Sequence, residues 1–169
     1  MGYIDHGMCH SIYFAGPEGL VLEMVQVDEL VTQVCSSVSQ GNAAASIRVS
    51  VEGHAPRRAL LPPVAFSQAL LNLIDNALES AGIEEKVDVK VQSRPGQIDV
   101  SVLDRGEGWP KMVRTNIGQP FLTTKAHGVG LGLYYVHTLA EALGGAFHLE
   151  DRSGGGAIAR ISLSSLTVD

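Results

Sequence analysis

The segment that opens at Pro62-Pro63 constrains the fold more than any other part of the chain. Proline is tolerated in a first helical turn. From there Leu70, Leu71, Leu73, Ile74, Ala77 and Leu78 recur on one side of a helix expected over about residues 63–81. On the opposite side Asn72 and Asn76 point about 40° apart, flanked by Gln68 and Glu79. A helix divided in this way must lay its apolar face on another layer while its amides stay accessible. Strand-like segments supply that layer. Residues 46–51, 86–92 and 97–103 alternate apolar with polar, the last two joined as a hairpin by Ser93-Arg94-Pro95-Gly96, and 146–150 and 157–163 complete the sheet. Two further helices are expected. Asp28 caps one that runs to about Gln40, with Leu30, Val31, Val34 and Val38 on one side and Gly41 at its end. In the other, Leu131, Tyr135, Leu139 and Ala142 recur up to Gly144-Gly145. Strands and helices in this order, with adjacent antiparallel strands, make the class α+β.

At 169 residues and 45% hydrophobic content, the chain suits one domain with a substantial core, not a disordered tract. No apolar run approaches the ~20 residues that span a bilayer, so no membrane contact by this chain is expected. Cys9 and Cys35 cannot build a disulfide framework, which points to a reducing cytoplasm. A net charge of −6 argues against nucleic acid as a partner. An acidic chain can still hold phosphates where backbone amides and a metal supply the positive charge. Residues 1–26 read as a linker or N-terminal arm, 27–169 as the domain proper, and 52–63 as a loop with Gly53, Pro56, Pro62 and Pro63. Residues 104–130 read as a long loop with one short helix near 111–116, and a loop of that length in a compact domain is usually functional, often a lid.

Four constellations carry chemistry. Asn72 and Asn76 offer hard amide oxygens of the kind Mg²⁺ shares with substrate phosphates, although two asparagines on a helix are equally a solvated face. Asp104-Arg105-Gly106-Glu107-Gly108 follows an apolar strand directly; the carboxylate can accept from an exocyclic amine, and the glycines let backbone approach a flat ligand. Alone, it is also an ordinary turn. Gly128-Val129-Gly130-Leu131-Gly132-Leu133 opens the last helix, where exposed amides and the helix dipole favour an anion, or where small residues simply pack closely. Pro120-Phe121-Leu122-Thr123-Thr124-Lys125 sets two hydroxyls and a cation behind an apolar anchor, suited to closing over phosphates or to a solvated loop.

In their joint order these four resemble the N, G1, F and G2 boxes of the ATP-binding catalytic domain of bacterial sensor histidine kinases, in the GHKL superfamily with gyrase, the MutL repair proteins and a heat-shock chaperone. The resemblance covers about residues 27–166. It implies a Bergerat-type two-layer α/β sandwich, a mixed sheet covered on one face by helices, with a mobile ATP lid. By that resemblance Asn76 coordinates Mg²⁺, Asn72 lies near the phosphates, Asp104 reads the adenine amino group, and Gly106 and Gly108 shape the base pocket. Thr123, Thr124 and Lys125, with Gly128, Gly130, Leu131 and Gly132, hold the triphosphate, so that Asn72, Asn76 and Lys125 carry the catalytic roles. The implied cofactors are ATP and Mg²⁺.

Gyrase-like members place a glutamate four residues before the metal asparagine, where it activates water. Here that position is Asn72, which takes no proton at neutral pH, so transfer to another acceptor is favoured over hydrolysis. Many histidine kinases carry Lys and an aromatic three and four residues after that asparagine; here these are Glu79 and Ser80, and Val129 replaces a common Thr. Weakened, not abolished, nucleotide binding is expected. His6, His10, His54, His127, His137 and His148 are each followed by a residue other than an acid, unlike the family's phosphoacceptor. The acceptor histidine is therefore expected on a dimerisation domain absent from this chain, with a response regulator downstream and no autophosphorylation by this chain alone. A serine-directed kinase of the anti-sigma-factor type and a non-catalytic nucleotide-binding module are the alternatives.

Overall fold

In a computed structural model, residues 3–5, 10–12, 14–15, 21–82, 86–121 and 130–166 are described, with side chains from residue 21 onward. The elements in chain order are β1 (Tyr3–Asp5), β2 (His10–Ile12), β3 (Phe14–Ala15), β4 (Val21–Gln26), α1 (Val27–Gly41), β5 (Ile47–Glu52), β6 (Arg58–Leu61) and α2 (Pro63–Ala81). There follow β7 (Val87–Arg94), β8 (Gln97–Leu103), α3 (Lys111–Thr115), α4 (Gly132–Ala142), β9 (Ala146–Asp151) and β10 (Ala157–Ser164).

The main sheet has the order β5-β7-β8-β10-β9. β5 runs parallel to β7 and the other neighbours are antiparallel, so the sheet is mixed. Period-two alternation turns Val87, Val89 and Val91, Ile98, Val100 and Val102, and Ala159, Ile161 and Leu163 to one face, where all are buried. Val31, Val34 and Cys35 of α1, Phe66, Leu70, Leu73 and Ile74 of α2, and Val136 and Leu139 of α4 pack on that face and close the core. The opposite face is laced with ion pairs, among them Arg152–Asp88 at 2.7 Å and Arg160–Glu150 at 3.1 Å. A two-layer α+β sandwich with helices on one side of a mixed sheet is thus the fold.

Two expectations are corrected. Residues 52–63 are not loop throughout, because Arg58–Leu61 forms β6, antiparallel to β4 with Glu23 opposite Leu61 and Gln26 opposite Arg58. Ala59 and Leu61 are buried there, and the flanking prolines bound the strand without entering it. Asp28 does not cap α1. The N-cap is Gln26, which makes no side-chain cap bond, and Asp28 lies in the first turn. Its carboxylate instead accepts from Nε of Arg57 at 2.7 Å, tying α1 to the residue before β6.

Candidate nucleotide site

The polar ridge of α2 is built by the four-residue step of a helix. Asn72, Asn76 and Ser80 succeed one another along it over about 12 Å, while Leu70, Leu73, Ile74 and Ala77 hold the other side in the core. Asn72 and Asn76 are half-buried, and Oδ1 of Asn72 accepts from Nε2 of Gln68 at 3.4 Å.

At the Asn72 end stands the start of α4. A methyl group on Gly132 would lie 3.8 Å from Cβ and Cγ of Asn72. The hydroxyl of Tyr135 donates to the carbonyl of Ala65 at 3.1 Å and pins the first turn of α4 to the first turn of α2. Gly130 and Leu131 lead into that turn, Gly130 with φ +72° and Leu131 substantially exposed. Amide groups of a helix start therefore sit beside the amide ridge, an arrangement that favours anions.

At the Ser80 end stands Asp104, directly after β8 and only 4% exposed. Its Oδ1 accepts from the backbone N–H of Gly106 at 2.8 Å and of Ala157 at 3.3 Å. Arg152 bonds the Asp104 carbonyl at 3.2 Å while its other terminal nitrogen pairs with Asp88. Burial pushes the Asp104 carboxyl above its usual range; the amides of Gly106 and Ala157, the Arg152 charge and the Ser80 hydroxyl oppose that rise. Gly106 is glycine for want of space: a Cβ there would stand 2.0 Å from Oγ of Ser80. Gly156, with φ +104°, presses on Asp104 from the other side, where a Cβ would lie 2.1 Å from its carbonyl oxygen. Gly108 has φ +83°, and Trp109 just beyond it donates to the Ile158 carbonyl at 3.0 Å.

The structure thus brings Asn72, Asn76, Asp104, Gly106 and Gly132 around one helix ridge, whereas Gly108 sits against Gly156 and Asp151 and not against α2. Thr123, Thr124, Lys125 and Gly128 lie outside the described residues. Phe121, the expected anchor of that loop, is 70% exposed with φ +63°. Sequence reasoning missed Arg152, Gly156 and Tyr135, none of which sits in a motif. Ser80 stands where many family members carry an aromatic, and its Oγ lies against the backbone of Gly106.

Among the described residues no group of three or more His, Cys, Asp or Glu side chains converges as a metal site. The donors that the ridge offers are the neutral oxygens of Asn72 and Asn76. Such a set fits a hard cation that brings most of its shell as phosphate and water oxygens, which is the habit of Mg²⁺.

A helix-covered mixed sheet, a strand-end carboxylate and an amide ridge facing a glycine-rich helix start define an ATP-binding domain. The chain belongs to the histidine kinase-, DNA gyrase B- and HSP90-like ATPase family, whose model matches residues 62–166. Its curated relatives include the sensor histidine kinase ZraS of Klebsiella oxytoca, 34% identical over 84% of this chain and 31% of that protein. Sporulation kinase A of Bacillus subtilis (strain 168) is 39% identical over 57% of this chain and 16% of that protein. The chain therefore spans less than a third of either relative. Among solved structures, the mycobacterial sensor histidine kinase MprB superposes with TM-score 0.74 at 25% identity, covering 88% of this chain and 100% of that one. Full-length ShkA in complex with AMPPNP gives 0.75 at 27% identity, covering 89% and 32%. Within the family, this is the catalytic ATP-binding domain of the sensor histidine kinase type.

Proposed function

We propose that the domain binds Mg-ATP and donates the γ-phosphoryl group to a histidine on a separate dimerisation domain, with a response regulator as the downstream acceptor. In this reading Asp104 accepts a hydrogen bond from the adenine amino group. Gly106 and Gly108 keep the base pocket free of side chains, and Asn72 lies beside the phosphates. The amides of Gly128, Gly130, Leu131 and Gly132 hold the triphosphate with Thr123, Thr124 and Lys125. Asn76 is the protein ligand to Mg²⁺, and the metal, when bound, neutralises phosphate charge. Transfer breaks the bond between the γ-phosphorus and its bridging oxygen, leaves the electron pair on ADP and forms a phosphorus–nitrogen bond on the imidazole. Asn72 takes no proton, so water at the γ-phosphate lacks a base at that position and the group is kept for its acceptor.

The observation that carries this reading is the ridge itself: a buried carboxylate at one end and helix-start amides at the other. Calorimetric titration with Mg-ATP tests it in wild type, Asp104→Asn and Asn76→Asp. Wild type should bind, and each variant should weaken binding by about tenfold or more. No heat from wild type at millimolar nucleotide, or unchanged affinity in Asp104→Asn, refutes it. With labelled ATP, this chain alone should stay unlabelled while a supplied dimerisation domain of the same kinase type acquires acid-labile label.

A further inference from the structure

The last rung between β8 and β10 departs from the regular ladder. The register that sets Leu103 opposite Ile158 places Asp104 opposite Ala157 one step on. The Asp104 N–H donates to the Ala157 carbonyl at 3.1 Å, so this is a hydrogen-bonded pair, in which the two residues normally exchange both bonds. Here the return bond is redirected. The Ala157 N–H donates at 3.3 Å to Oδ1 of the Asp104 side chain in place of its main-chain carbonyl. The displaced carbonyl accepts instead from Nη1 of Arg152 at 3.2 Å. Nη2 of the same guanidinium is tied to Oδ2 of Asp88 at 2.7 Å, and the two side chains are only 15% and 16% exposed. Arg152 thus reaches from the end of β9 past β10 and β8 to an anchor on β7.

We propose that Arg152, tethered by Asp88, is a positioning residue for nucleobase recognition: it holds the Asp104 carbonyl out of the ladder, which leaves the Ala157 amide to the carboxylate and sets the oxygen that meets the purine. The inference rests on Asp104 facing the purine, as proposed above. Ala157 has a single N–H, so the carbonyl and the carboxylate of Asp104 compete for it. Without the guanidinium the carbonyl loses its donor, and the nearest replacement is the Ala157 N–H, its regular ladder partner. The carboxylate then keeps the Gly106 amide alone, at 2.8 Å, and turns about that single contact. Two amides on Oδ1 hold Oδ2 in one direction; one amide does not. A carboxylate held in place accepts from a 6-amino group and repels a 6-oxo group, whereas one free to turn discriminates less. A guanidinium suits this task because its fixed fork serves two acceptors at once.

The test has two arms. Amide proton shifts, followed by nuclear magnetic resonance through a pH series without nucleotide, report which N–H groups bond the Asp104 carboxylate. Calorimetric affinities for ATP and for inosine triphosphate, which differs from ATP at the 6-position alone, report nucleobase choice. The proteins are wild type, Asp104→Asn, Arg152→Met, and Arg152→Met combined with Asp88→Asn, which leaves no stranded carboxylate. Arg160→Met is the control, since it breaks the pair with Glu150 on the same face of the sheet without touching Asp104. In wild type the Gly106 and Ala157 protons should follow one titration that Asp104→Asn removes. In both Arg152 variants Gly106 should still follow it and Ala157 should not, and the preference for ATP over inosine triphosphate should fall by about three- to tenfold. Arg160→Met should change neither. An Ala157 proton that still follows the titration without Arg152 overturns the proposal. So does a preference that stays unmoved while both nucleotides weaken alike, the mark of a merely structural role. If Asp104→Asn leaves the preference at its wild-type value, the purine-facing reading of Asp104 fails, and the amide series still decides the hold of Arg152 by itself.

Discussion

Gly106→Ala probes the tightest contact of the site by adding one carbon. The new Cβ would stand 2.0 Å from Oγ of Ser80 and 2.5 Å from its carbonyl oxygen, where real Cβ contacts keep at least 3.0 Å. The hydroxyl can rotate away, but the carbonyl belongs to the last turn of α2 and must retreat by the 0.5 Å shortfall between 2.5 and 3.0 Å. Overpacking of this kind costs about 1–3 kcal/mol. In a domain of this size each kcal/mol lowers Tm by about 2–4 °C. The strain falls on the loop that holds the Gly106 N–H on Asp104 at 2.8 Å, so ATP affinity should drop by about tenfold as well. Gly41→Ala is the matched control, because nothing lies within 4 Å of a Cβ there and the residue is helical. It should be neutral or stabilising by up to about 1 kcal/mol. Adding Ser80→Ala to Gly106→Ala removes the Oγ overlap but not the carbonyl one, so stability should be only partly restored. Thermal melts and nucleotide titrations of the four proteins decide the matter. Gly106→Ala with wild-type Tm and wild-type affinity refutes the steric account.

ATP binding should weaken as pH falls through the Asp104 transition, because only the ionised carboxylate accepts the amine. Its raised position puts that window above the ordinary value of 3.8, and Asp104→Asn should remove this limb from a calorimetric pH series. The same shift has the opposite sign for folding. The native state holds this proton more tightly than the unfolded chain, so the group's contribution to stability is present below 3.8 and declines as pH rises through the raised native value. Gly118→Ala should destabilise by about 1–3 kcal/mol, since a Cβ would lie 2.4 Å from the His137 ring and φ is +86°; His137→Ala in the same chain should return part of the loss in a urea titration. Cys35 is 2% exposed and burial pushes its thiol up to about 11, so in a Cys9→Ser background a thiol reagent should label it only after unfolding. Labelling of the native protein at the rate of a free thiol contradicts that packing.

What could be read in the chain beforehand follows from how local each determinant is. α2 announces itself because a proline start and a 3.6-residue period are properties of consecutive residues, and the observed bounds, Pro63–Ala81, match the expected ones. The β7–β8 hairpin does so too, since Pro95 presets one turn dihedral and Gly96 supplies the other at φ +80°. β4 and β6 do not, because neither is a strand without the other: Val21–Gln26 and Arg58–Leu61 pair across the whole of α1 and β5, and the prolines around β6 conceal it. Asp28 misled for the same reason, since cap chemistry is local but a distant arginine competes for the carboxylate.

The site divides along the same line. Asn72, Asn76 and the glycines of 104–108 and 130–132 sit in short ordered strings, and strings can be compared with a family. Arg152 and Gly156 reach Asp104 only because β10 lies beside β8 and sets Ala157 against the strand end. Ser80 comes near them only because the last turn of α2 lies against the backbone of Gly106. A pattern therefore points to the group proposed to meet the ligand, while the residues packed around that group come from three segments with no common motif. Selectivity depends on aim as much as on identity. Two members of this family with identical boxes should therefore differ in how the strand-end carboxylate is held when the residues at the Arg152 and Gly156 positions differ.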